Sequence, residues 1–128
     1  RSSDAGVQNT GLSQPVGLLA AGDALYVGDW CSGTWYRVTG EGEPVVQIHG
    51  AGFGHFNFAP ATPVLSESFK VIDYDMRGYG QSDKPLQDYD MEVWADDLAG
   101  LLDALGLERV HVHGTSMGGM IAVVFAGK

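Results

Sequence analysis

The sequence has one cysteine, few basic residues and no apolar run long enough to cross a membrane. A lone thiol, Cys31, cannot close an intrachain disulfide and cannot by itself build a metal site, so neither a disulfide scaffold nor a metal centre is expected. Seven Lys and Arg stand against sixteen Asp and Glu, a formal charge of -9. That deficit of cations excludes a phosphate-tracking face, and no nucleic-acid partner is expected. The apolar stretch 15–21 is too short to span a bilayer, and Arg1 is the only basic residue before it, which fits a secretory leader poorly. With no basic amphipathic segment either, no membrane contact is expected, and the default location is cytoplasmic.

What is present is an ordinary globular composition, 45% hydrophobic and 18% charged, punctuated by nineteen glycines. Residues 1–22, rich in Gly, Ser, Ala and Gln without periodicity, are expected to form an irregular N-terminal arm, and 23–128 the folded unit. Within it, 24–27 and 34–38 are aromatic and β-branched runs around a glycine-bounded turn, which predicts an antiparallel hairpin. Further strands are expected at 45–48, 69–74 and 109–113, the first two ending in glycine-rich loops. A short helix is expected from about Pro63. Asp90 is a good N-cap for a helix whose Trp94, Leu98, Leu101, Leu102 and Leu105 share one face, with Gly106 as its stop. A last helix is expected over 117–126. Alternating strands and helices define the fold class as α/β: a mostly parallel sheet flanked by helices, with an antiparallel N-terminal hairpin. The loops after Ile48, Tyr74 and His113 then fall on the carboxyl edge of the sheet, where such folds place their chemistry.

One of those loops is Gly114-Thr115-Ser116-Met117-Gly118, a Gly-x-Ser-x-Gly pattern between an apolar strand and a helix. In such a strand-to-helix bend the serine hydroxyl is exposed, and Ser116 is the candidate nucleophile. It requires a histidine to take its proton and a carboxylate to orient that histidine. A developing oxyanion requires two donors, for which the backbone N–H groups of Met117 and Ala51 are the candidates. The bland alternative is a glycine turn whose serine caps a helix.

Other residues admit simpler readings. His49 and His113 adjoin motif glycines and are read as serving backbone geometry. Phe53, His55 and Asn57 lie in the loop that would roof the site and are candidate pocket residues; Phe53, Phe56 and Phe58 suit core packing almost as well. Asp73 and Asp75 flank Tyr74, but with no third ligand nearby in sequence a metal is not expected. Arg77 is read as a loop anchor.

The segments "GEGEPVVQIHGAG" (40–52), "FKVIDYDMRGYGQSDKP" (69–85), "MEVWADDLAGLLDALGLERVHVHG" (91–114) and "TSMGGMIAVVFAGK" (115–128) together resemble the amino-terminal half of an α/β-hydrolase-fold protein. The resemblance implies a triad in the order Ser, Asp or Glu, His, of which only Ser116 maps here, with the acid and histidine in a C-terminal half on a second polypeptide. It implies no cofactor and a small-molecule substrate. An ester, lactone or related carbonyl compound would be cleaved through an acyl-enzyme, and "HGAGFGHFNF" with "GTSMGG" is similar to hydrolases that cleave a C–C bond next to a ketone, with Asn57 at their loop asparagine. Serine rather than aspartate at the bend separates the chain from dehalogenases and epoxide hydrolases of this fold. An inactive fragment and a non-enzymatic module binding a small ligand are the rival readings.

Overall fold

The computed structural model describes residues 15–21, 24–29 and 33–128. Six strands form one sheet: β1 (Pro15–Ala21), β2 (Ala24–Asp29), β3 (Trp35–Thr39), β4 (Glu43–Ile48), β5 (Phe69–Tyr74) and β6 (His111–Gly114), in the spatial order β1-β2-β3-β5-β4-β6. The sheet is mixed. On one side β1, β2, β3 and β5 pair antiparallel; on the other, β5, β4 and β6 run parallel. Helices α1 (Thr62–Leu65), α2 (Met91–Ala104) and α3 (Met117–Ala126) and a 3₁₀ turn at His55–Phe58 flank it. No helix among the described residues is long and apolar enough to cross a membrane.

One expectation is corrected. Pro15–Ala21, assigned from composition to the irregular arm, is a strand paired with β2. Its proline is the first residue and its register shifts between Pro15 and Gly17, as an edge strand tolerates. The rest of the proposed arm, 1–14, and Cys31 lie outside the described residues.

Strand alternation explains the two faces. Tyr36, Val46, Ile48, Ile72 and Tyr74 point into an apolar core with Trp94, Leu98, Leu101 and Leu102 of α2 and Ile121 of α3. The intervening residues face the other way and form one polar row across four strands. Arg37 pairs in register with Asp73, Asp73 with Gln47, and Gln47 with His113. Arg37 donates to Asp73 at 3.0 Å, Gln47 to Asp73 at 2.7 Å, and His113 Nδ1 lies 3.0 Å from Gln47 Oε1. Thr62 of α1 covers the row, donating to Asp73 and accepting from Gln47. Burial of Asp73 and Gln47 is therefore matched by hydrogen bonds, which is what makes it tolerable.

Asp90 caps α2 by accepting from the N–H of Val93, and the helix ends where Gly106, at φ 72°, lets the N–H of Leu107 reach the carbonyl of Leu102. Arg77 holds the loop after β5 onto this helix, with two bonds to Asp97 at 2.9 and 2.6 Å, and Trp94 Nε1 donates to the Arg77 carbonyl. Arg77 is thus a loop anchor, as its sequence context suggests.

Candidate functional site

Strand β6 ends at Gly114 and α3 begins at Met117, which leaves two residues to reverse the chain. Ser116 takes the strain: at φ 55° and ψ −119° it is the only non-glycine residue with positive φ among those described. A residue with a Cβ in that region carries a cost of about 1–3 kcal/mol that the surrounding structure must hold in place. The flanking glycines are what hold it. A Cβ on Gly114 would stand 2.4 Å from the carbonyl oxygen of Gly118, and a Cβ on Gly118 would stand 2.0 Å from that of Ile48. Both positions of the motif are thus closed to any other residue, the first by the tightness of the turn and the second by the approach of α3 to the end of β4. The N–H of Thr115 also donates to the Ile48 carbonyl, at 3.1 Å. Ser116 is solvent-exposed and its side chain makes no capping bond, so the reading of it as a plain helix cap has no support in its geometry.

The loop after β4 lies beside this turn. A Cβ on Gly50 would be 3.5 Å from Cβ of Ser116. Ala51, the next residue, is exposed, and Met117 is the first residue of α3. Among the described residues neither of their N–H groups donates to another protein group. The positive end of α3 adds to the local preference for negative charge.

Asn57 reaches the same place by another route. Its side-chain oxygen accepts from the N–H of Gly50 at 3.0 Å, so it braces the loop. Phe53 is about half exposed (49%), as is Phe56, with ring centroids 6.3 Å apart, whereas Phe58 is buried against His113. His55 is engaged with Asp75 and Trp35. Its backbone N–H and its Nδ1 both meet Oδ1 of Asp75, at 2.6 and 2.9 Å, and its ring lies 4.4 Å from that of Trp35. Sequence separation hid this pair, because two positions 20 apart in the chain say nothing about how the loops after β4 and β5 meet.

Asp75 is fully buried. Burial alone would raise its carboxyl, but hydrogen bonds from the His55 ring, the Gln81 N–H and the His55 N–H outweigh that and hold it below the usual carboxylate range. His49 is buried too, and burial pushes its imidazole down against the opposing pull of the Gly50 carbonyl and the Asp75 charge. Nε2 accepts from the N–H of Met76 at 3.0 Å, which fixes the remaining proton on Nδ1, 2.8 Å from the Gly50 carbonyl. Both ring nitrogens of His49 are committed to backbone, in keeping with its structural reading. Among the described residues no group of three metal-ligating side chains occurs. A cavity of about 740 Å³ lined by Leu102, Leu107, Val110 and Phe125 lies near the start of β6, whereas Ser116 follows its end.

A family model described as "alpha/beta hydrolase fold" matches residues 43–128. The 2-hydroxy-6-oxo-2,4-heptadienoate hydrolase of Pseudomonas putida is 43% identical over 91 residues, covering 68% of this chain and 33% of that protein. A soluble epoxide hydrolase of Corynebacterium is 37% identical over 91 residues, covering 71% and 32%. Among solved structures, the meta-cleavage product hydrolase CumD of Pseudomonas fluorescens superposes with a TM-score of 0.71 at 34% identity, covering 92% of this chain and 41% of that one. The chain thus spans about a third of the length of the curated relatives it matches. With its sheet order, its strained strand-to-helix turn and these likenesses in agreement, the chain belongs to the α/β-hydrolase-fold family.

Proposed function

We propose that these residues form the nucleophile half of a serine hydrolase acting on a small ester, lactone or related carbonyl substrate. The observation that carries this is the conformation of Ser116, a strained and exposed serine between a strand end and a helix N-terminus. Strain of this kind persists only where neighbours enforce it, and here Gly114 and Gly118 do so.

In the proposed reaction Ser116 Oγ attacks the substrate carbonyl while its proton passes to a histidine. The carbonyl oxygen becomes an oxyanion facing the N–H groups of Met117 and Ala51. Collapse breaks the bond to the leaving group, which takes the proton from the histidine, and water then releases the acid from the acyl-enzyme. That histidine is not one of the four in this chain. His49 is bound to backbone, His55 to Asp75, His113 to Gln47, and His111 to Glu43 near the start of β4. The histidine and its carboxylate are expected from the C-terminal half of the fold, the part of the relatives that these residues do not span.

A second reading has its own support: the likeness to 2-hydroxy-6-oxo-2,4-heptadienoate hydrolase and to CumD favours cleavage of a C–C bond next to a ketone. The likeness to a soluble epoxide hydrolase weighs less, because a serine and not an aspartate stands at the bend.

The test is hydrolysis of p-nitrophenyl acetate and butyrate, and of a 2-hydroxy-6-oxo-dienoate, by the intact protein and its Ser116→Ala variant. The serine-hydrolase reading expects a fall of at least about a thousandfold on whichever class is turned over. Equal rates in the two proteins would leave a ligand-binding or inactive module.

A further inference from the structure

Two elements of the site are joined by a contact that the proposed reaction does not use. Asp75 follows the last residue of β5, and His55 opens the 3₁₀ turn in the loop after β4. The buried carboxylate is held from one side by the N–H of Gln81 on Oδ2, at 2.9 Å, where Gly80 has no side chain; a Cβ there would lie 2.2 Å from the same oxygen. From the other side Oδ1 receives the N–H and the ring of His55. Two residues on, within the same turn, Asn57 accepts from the N–H of Gly50, and Gly50 abuts Ser116. The N–H of Asn57 also donates to the Gly54 carbonyl, at 2.9 Å, which closes the turn.

We propose that Asp75 and His55 are positioning residues that clamp the loop carrying Ala51 against the Ser116 turn. The histidine does not act on substrate as a base for Ser116. Asp75 follows β5 and Ser116 follows β6, on opposite sides of β4, so two strand spacings, roughly 10 Å, separate the strand ends that carry them, and the His55 ring is turned to the carboxylate. Its action is through the backbone. A bidentate grip on one carboxylate oxygen fixes where the 3₁₀ turn starts, the turn fixes Asn57, and Asn57 fixes Gly50 and hence the direction of the next N–H. Preorganised donors need this kind of support, since a donor that must be reoriented during reaction loses most of its worth. The ring of Trp35 beside His55 limits how far the imidazole can swing. His49, which lies near the pair, is already bound to backbone through both nitrogens.

This rests on the reading of Ala51 as an oxyanion donor for its consequence in catalysis, but not for its test. In the intact, ¹⁵N-labelled protein, the clamp expects a protonated Nδ1 on His55. It also expects the Gly50 amide in His55→Ala to exchange with solvent at least about tenfold faster, while the Thr115 amide keeps its rate. His55→Asn, whose side-chain NH₂ reaches the place of Nδ1, should restore Gly50 protection; a merely space-filling role would not distinguish the two variants. A smaller change in His55→Ala, or no rescue by asparagine, overturns the proposal. Should His55→Ala not fold, the ring signature and His55→Asn decide: an unprotonated Nδ1, or an unprotected Gly50 in His55→Asn, overturns it. None of these readouts uses activity, so a failed clamp and a failed nucleophile assignment are separable.

Discussion

A side-chain carbon on Gly118 would stand 2.0 Å from the carbonyl oxygen of Ile48, closer than any real contact, so the first turn of α3 lies on the end of β4 with no room between them. The neighbouring Gly119 is different: a Cβ there would meet the Gly114 carbonyl at an ordinary 3.5 Å. Gly118→Ala is therefore expected to destabilise the protein by about 1–3 kcal/mol or more through overpacking. Gly119→Ala should be neutral, or stabilising by up to about 1 kcal/mol from helix propensity. Urea denaturation of the two variants checks this, and equal costs would contradict the packing described.

Ser116 offers a second comparison. Ser116→Gly relieves the strain at φ 55°, whereas Ser116→Ala retains it and both remove the hydroxyl. The glycine variant is expected to be more stable than the alanine variant by about 1 kcal/mol, despite its extra chain entropy. A more stable alanine variant would show that the turn is not strained.

The buried His49 makes stability depend on pH. Its folded pKa is depressed, so below the unfolded value of about 6.5 the unfolded chain binds the proton first. Stability from this residue is present above that value and is lost as pH falls through it toward the folded pKa. Asp75, also depressed, adds a second loss as pH falls below about 3.9. Denaturation midpoints at pH 7.5, 6.5 and 5.5 should decline in the wild type and decline less in His49→Gln; identical slopes would refute the assignment.

In the polar row, Asp73→Ala removes the acceptor shared by Arg37, Gln47 and Thr62. A cost of about 3–5 kcal/mol is expected, because buried donors lose their charged partner. A thermal melt showing less than about 1 kcal/mol would mean that water enters and replaces it.

Local signals explain what the sequence reveals. Asp90, the leucine periodicity and Gly106 specify α2 within one stretch of chain, and the expected ranges 69–74 and 117–126 match β5 and α3. Strand β1 escapes because PVGLLAA carries one β-branched residue, and its pairing with β2 supplies what propensity does not. The 3₁₀ turn at His55–Phe58 is too short to show a period. The polar row and the His55–Asp75 pair join residues 11 to 66 positions apart, a long-range quantity with no local trace. The Gly-x-Ser-x-Gly turn is legible because its glycines are demanded by backbone contacts at fixed spacing.

The most direct test of the account is the denaturing intact mass of the purified protein after exposure to a serine-reactive fluorophosphonate, with peptide mapping of the adduct. A single adduct on Ser116, abolished in Ser116→Ala, is expected when the C-terminal half of the fold is present. An unlabelled Ser116 in a sample that contains both halves would contradict it.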